Sequence, residues 1–107
     1  MSLVSIPDDV HKKLNYLRLD KNMSLQALTD QLLRRGLERL ERLEHLGLLL
    51  PHEPLGEKRL GSDVPKKGIT ITDDALHKKL NYLRLDRDMT LQALTTQLLL
   101  MGLKPEA

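Results

Sequence analysis

HKKLNYLRLDKNMSLQALTDQLL, residues His11 to Leu33, returns as HKKLNYLRLDRDMTLQALTTQLL, residues His77 to Leu99, at an offset of 66 with only four exchanges in 23 positions. The exchanges are mild: Lys21 to Arg87, Asn22 to Asp88, Ser24 to Thr90 and Asp30 to Thr96. A repeat of this quality turns the question from one fold into two copies of one supersecondary unit. Within each copy apolar residues recur at three- and four-residue spacing. Val10, Leu14 and Leu17 form one stripe and Leu25, Leu28 and Leu32 a second, matched by Leu76, Leu80, Leu83 and Leu91, Leu94, Leu98. That period is helical, so each copy is predicted to hold two helices, A and B.

Outward from the repeat, each copy is preceded by a short segment of strand character, Leu3-Val4-Ser5-Ile6 and Ile69-Thr70-Ile71-Thr72, the second with strict alternation. Pro7-Asp8-Asp9 and Thr72-Asp73-Asp74 then place carboxylates where a helix start is partially positive. The count from strand to helix stripe differs by one residue between the copies. Helix A is expected to stop near Lys21-Asn22 and Arg87-Asp88, and Ser24 and Thr90 to cap helix B. In the first copy the Glu-Arg-Leu repeat from Leu37 to Leu46 prolongs helix B, with Gly47 and Pro51 marking its end. From Pro51 to Gly68 three prolines, three glycines and mixed charge read as linker. The expected division is a first unit over 1–50, a linker over 51–67 and a second unit over 68–107.

Composition narrows the function. A unit of about 40 residues rarely buries enough apolar surface to fold alone, and with no cysteine to staple it each half is expected to fold against another. Phe and Trp are absent and Tyr16 and Tyr82 are the sole aromatics, so the core is expected to be aliphatic and helical. No apolar run approaches bilayer length and no signal-like stretch opens the chain, which reads as a cytoplasmic protein with no membrane partner. The net charge of +2 is unevenly spread: 1–37 and 66–107 are each +2 while 38–65 is −2, so an anionic partner is expected at the ends. No phosphate loop, nucleophile-base pair or carboxylate cluster suggests an enzyme, and no cofactor is expected. His11, His45, His52 and His77 lack metal-ligand spacing, so no metal is assigned. Lys12-Lys13 and Lys78-Lys79 read as solvated charge, and Tyr16 and Tyr82 as packed rings with an exposed hydroxyl.

Strand, helix opened by acids, polar turn and second Leu-rich helix, over about residues 3–40 and again 67–103, together resemble the ribbon-helix-helix family of DNA-binding proteins. The resemblance implies a mainly α fold with a short two-stranded antiparallel β ribbon, the tandem units forming an intrachain pseudo-dimer. It further implies a ribbon that enters the major groove of double-stranded DNA, with the N-termini of the B helices near phosphates. With Ile69 and Ile71 turned inward, Thr70 and Thr72 face out as candidates for base contacts, since each hydroxyl donates and accepts and each methyl can touch thymine. Thr72 alternatively caps helix A. In the first strand the outward residues are Leu3 and Ser5, of which only Ser5 can hydrogen-bond a base edge, where the family more commonly shows longer polar or basic side chains. Ser24, Thr90, Lys66 and Lys67 are the candidate phosphate contacts. The function expected is a repressor-type transcriptional or plasmid-maintenance regulator. The rival reading is an interaction module, antitoxin or adaptor, that self-associates or holds a protein through residues 38–65. Pairing of each copy with its counterpart in a second chain is the alternative architecture.

Overall fold

The computed structural model describes residues 2–50, 52–56, 59 and 65–104. In chain order it contains strand β1 (Ser2–Pro7), helices α1 (Asp8–Lys21) and α2 (Leu25–His45), strand β2 (Lys66–Ile71), and helices α3 (Asp74–Asp86) and α4 (Leu91–Leu103). The repeated sequence occupies α1 with α2 and α3 with α4, at the positions the leucine spacing predicts. None of the helices is long and apolar enough to cross a membrane.

The strands form one antiparallel two-stranded sheet within the chain, registered from Ser2 opposite Ile71 to Pro7 opposite Lys66. Ladder geometry continues one step further, where the Asp8 amide donates to the Pro65 carbonyl at 2.9 Å. Pro7 suits this place because its missing amide falls at the end of an edge strand. Alternation then works as the sequence implies. Val4, Ile6, Ile69 and Ile71 are buried beneath the helices, and Leu3 on the opposite parity is 74% exposed.

A single aliphatic core joins both strands to all four helices. At its centre α2 crosses α4 with the two backbones in contact. A Cβ built on Gly36 would meet the Leu98 carbonyl oxygen at 2.3 Å, and one on Gly102 would meet that of Leu32 at 2.4 Å. The contact is reciprocal, because Gly102 and Leu98 are Gly36 and Leu32 shifted by the repeat offset. Any side chain at either glycine would hold apart helices that bury Leu28, Leu32, Leu33, Leu94, Leu98 and Leu99 between them and their neighbours.

The helix ends obey local chemistry. Ser24 and Thr90 cap α2 and α4, each hydroxyl accepting from the amide three residues on, Ala27 or Ala93, at 3.1 Å. Between the paired helices Asn22 and Asp88 both take φ 54°, a left-handed conformation that these two side chains tolerate better than most. The chain leaves α2 through Gly47 at φ 75°, with the amide of Leu48 on the Leu43 carbonyl and that of Gly47 on Glu44.

Two features depart from the sequence reading. β2 begins at Lys66, so Lys66 and Lys67 belong to the strand and not to the linker before it. Residues 52–56 are also more than a tether. Leu55 is buried with its amide on the Met89 sulfur at 3.4 Å, and His52 Nδ1 lies 2.6 Å from Asp86 Oδ1. The anchor is Arg87, fully buried, which donates to the Glu53 carbonyl at 2.6 Å and pairs with the Glu44 carboxylate. Burial pushes its guanidinium below the ordinary arginine value. Lys21, its counterpart, is exposed.

Candidate nucleic-acid interface

The outer face of the ribbon is short and shallow. Its cross-strand pairs are Leu3 with Thr70, Ser5 with Gly68, and Pro7 with Lys66. Ser5 and Thr70 are half-buried, Lys66 and Gly68 exposed. Leu3 lies diagonally over Gly68, where an added Cβ would come within 2.9 Å of Leu3 Cδ1. With Pro7 buried, the face presents one apolar side chain, two hydroxyls and one ammonium, with glycine keeping the middle flat. Hydroxyls can donate to or accept from a base edge and Leu3 can meet a thymine methyl. Lys67 falls on the inward parity opposite Ile6, yet at the ribbon's end it remains exposed.

Thr72 is placed differently from Thr70. It lies one residue beyond β2, is exposed, and favours the charged form of the Asp30 carboxylate of α2. The alternative of a capping role is corrected by the structure: Asp73 caps α3, its Oδ1 accepting from the amides of Ala75 at 3.0 Å and Leu76 at 3.3 Å. A carboxylate outcompetes the hydroxyl here because two residues, Thr72 and Asp73, separate β2 from α3 whereas α1 follows β1 directly. Asp73 also pairs with Arg34. Desolvation raises the pKa of Asp30, Asp73 adds to the rise, and Arg34 and Thr72 oppose it. One Asp30 oxygen, Oδ1, is buried without a partner among the described residues. In the second copy Thr96 stands at this place and donates to the Gln92 carbonyl at 2.8 Å, so this polar cluster has no twin.

The helix starts divide into two kinds. α1 carries Asp8 and Asp9 in its first turn and α3 carries Asp74, whereas α2 and α4 carry no acid there. A helix N-terminus free of carboxylates is the kind an anion can approach. Those are the ends capped by Ser24, which is exposed, and Thr90, which is half-buried in a recess shared with Arg59, Arg84, Leu85, Asp88 and Met89. α2 lies against β2 and α4 against β1.

Some polar geometry went unnoticed in the sequence. Asn15 sits 3.0 Å from the His11 ring and accepts from Arg18 Nε at 3.0 Å; Asn81 repeats this with His77 at 3.3 Å and Arg84 at 3.1 Å. The signal was available as the His-Asn-Arg spacing of four and three residues in both copies, which places them on one helix face. Tyr16 and Tyr82, expected to pack, are 77% and 76% exposed. Their positions on the stripe edge leave the rings without a neighbouring element to cover them. Among the described residues no group of three or more His, Cys, Asp or Glu side chains could hold a metal ion.

Compared with protein-family models, curated proteins and solved structures, the chain gives no significant match.

Proposed function

We propose that this chain is a sequence-specific DNA-binding protein, a transcriptional or plasmid-maintenance regulator of ribbon-helix-helix type whose two tandem units act as an intrachain pseudo-dimer. One observation carries the reading: an antiparallel ribbon buries Val4, Ile6, Ile69 and Ile71 and turns Leu3, Ser5, Gly68 and Thr70 outward on a strip narrow enough for the major groove. In this reading Thr70 and Ser5 read base edges and Leu3 contacts a thymine methyl. Ser24 and Thr90, at helix starts without acids, meet phosphates on either side, and Lys66 and Lys67 add salt-sensitive attraction. Thr72, exposed one residue beyond β2, remains a further candidate for a base contact at the ribbon's end.

Selection of bound duplexes from a random library at near-physiological salt tests the proposal. Enrichment of a short motif is expected, and Thr70→Ala should weaken preference by about 1–3 kcal/mol at one position while leaving the salt slope intact. A folded protein that enriches nothing refutes it. The second reading, a protein-interaction module of antitoxin or adaptor type, is favoured by one observation: the β1 half of the outer face carries no long polar side chain and is led by exposed Leu3. A flat salt dependence would favour that reading.

A further inference from the structure

The repeat gives each A helix the same exposed apolar pair, Tyr16 with Leu19 on α1 and Tyr82 with Leu85 on α3, to nearly the same exposure. The charges beside these pairs differ in state. On α3, Lys79 Nζ lies 3.0 Å from Glu41 Oε1, and Asp86 Oδ1 lies 2.6 Å from His52 Nδ1. Lys13 and Asp20, their equivalents on α1, are exposed and have no ion pair among the described residues.

The neighbouring walls differ as well, through exchanges between the copies. Leu100 and Lys104 stand at the repeat positions of Arg34 and Glu38. Beside α3 the recess therefore holds Arg34, Glu38, Glu41, Asp73 and Lys79, with Arg34 paired to Asp73 and Lys79 to Glu41. Beside α1 the matching place is an open apolar groove, lined by Lys13, Tyr16, Leu17 and Asp20 of α1 and by Leu100, Leu103 and Lys104.

Lys13, Tyr16, Leu17 and Asp20 follow the three- and four-residue spacing of a single helix face. Contact across a two-fold axis needs a patch that complements itself, since a residue that meets another must be met by it in return. This stripe satisfies the condition. Lys13 and Asp20 carry opposite charges and lie equally far, about 5 Å along the helix axis, on either side of the midpoint between Tyr16 and Leu17. Two α1 helices packed antiparallel about that midpoint set Lys13 of each opposite Asp20 of the other, with the tyrosines and leucines between.

We propose that this face joins two copies of the chain in an isologous dimer, α1 against the partner's α1, with Leu100 and Leu103 extending the apolar contact. The α3 stripe repeats the residue types, but its lysine and aspartate are engaged within the chain, so association closes at two copies and does not run on through α3 into a filament. The contact uses neither the ribbon nor the starts of α2 and α4, and stands apart from the DNA-binding reading.

Sedimentation equilibrium of the full-length protein, from micromolar to millimolar concentration, tests the proposal. A reversible step from the 12.2 kDa monomer to a dimer is expected, with nothing larger. Lys13→Asp and Asp20→Lys, both at exposed positions, set like charges opposite each other and should each weaken dimerisation tenfold or more, with far-UV circular dichroism confirming an intact fold. Mixed in equal amounts, the two variants should associate again, because each supplies the charge that the other lacks. Tyr16→Asp should abolish the dimer, and Tyr82→Asp should leave it unchanged. The proposal is overturned if the protein stays monomeric throughout, if association runs past the dimer, if Tyr82→Asp weakens it as much as Tyr16→Asp, or if the mixed charge variants associate no better than either alone.

Discussion

Gly36→Ala puts the helix crossing to a direct test. The new Cβ would sit 2.3 Å from the Leu98 carbonyl oxygen, and ordinary contact begins at 3.4 Å, so α2 and α4 must part by about 1 Å. The obstacle is backbone, which cannot rotate aside as a flexible side chain does. Parting the helices loosens Leu32, Leu33, Leu98 and Leu99, all 3% exposed or less. Overpacking of this kind costs about 1–3 kcal/mol and more when no side chain can yield, so roughly 3–4 kcal/mol is the gross effect. Against it stands the gain of about 1 kcal/mol from replacing glycine by alanine inside a helix. The clash wins, with a net loss of about 2–3 kcal/mol, or roughly 10–20 °C in Tm for a chain of this size. Far-UV circular dichroism melts would measure it. Gly102→Ala should behave alike, and the double variant should lose less than the sum because one separation relieves both clashes. An unchanged or raised Tm for Gly36→Ala would refute the close crossing, since propensity alone would then be acting.

Asp30→Asn should raise stability near neutral pH. The folded pKa of Asp30 is raised, so between the ordinary aspartate value of 3.8 and that raised value the native state holds more proton than the unfolded chain; wild-type stability falls as pH rises through the window and the deficit is complete above it. Urea titrations should show the advantage of Asn shrinking as pH drops into the carboxylate range, and a constant or growing advantage would contradict the assignment. Arg87→Ala, which strands Glu44 and removes the hold on the Glu53 carbonyl, should lose about 2–3 kcal/mol, the usual range for a buried pair being reduced because Glu44 is a third exposed. Lys21→Ala at the matching exposed site should change stability by less than about 0.5 kcal/mol, and equal losses at the two sites would count against the anchoring role. Ser24→Ala and Thr90→Ala should each lose about 1 kcal/mol by denaturant titration, and Ala variants as stable as the parent would show that the hydroxyls do not cap.

Features set by neighbours in sequence were legible in advance. Alternation identified the inward Val4, Ile6, Ile69 and Ile71, leucine spacing found four helices, and the hydroxyls of Ser24 and Thr90 marked two helix starts. Features set by neighbours in space were not. Lys21 and Arg87 look like a mild exchange, but only Arg87 meets Glu44, whose approach depends on how far α2 runs. Leu55 sits among prolines and glycines, so its local surroundings read as linker while its burial is decided by Met89. Thr72 and Asp73 both lie between β2 and α3, and the cap fell to Asp73, the residue directly before the helix. The two helical glycines could have been noticed, since each sits mid-pattern at a cost of about 1 kcal/mol, once per copy, which calls for a packing reason.

The last of the six elements in chain order is the one around which the others close. α4 lies against β1, α2 and α3, and seven of its residues are buried. A ribosome adds 96 residues between the end of β1 and the end of α4, about 5–20 s at ordinary synthesis rates. Throughout that interval Val4, Ile6, Leu28, Leu32 and Leu33 lack the α4 surface against which the core closes, and β1 has no strand to pair with until β2 is complete at Ile71. The nascent first half should therefore depend on holding chaperones and be open to proteases, and messages cut short before α4 should yield fragments that are cleared without residual activity. Closure of the core around the first half thus waits on the synthesis of α4.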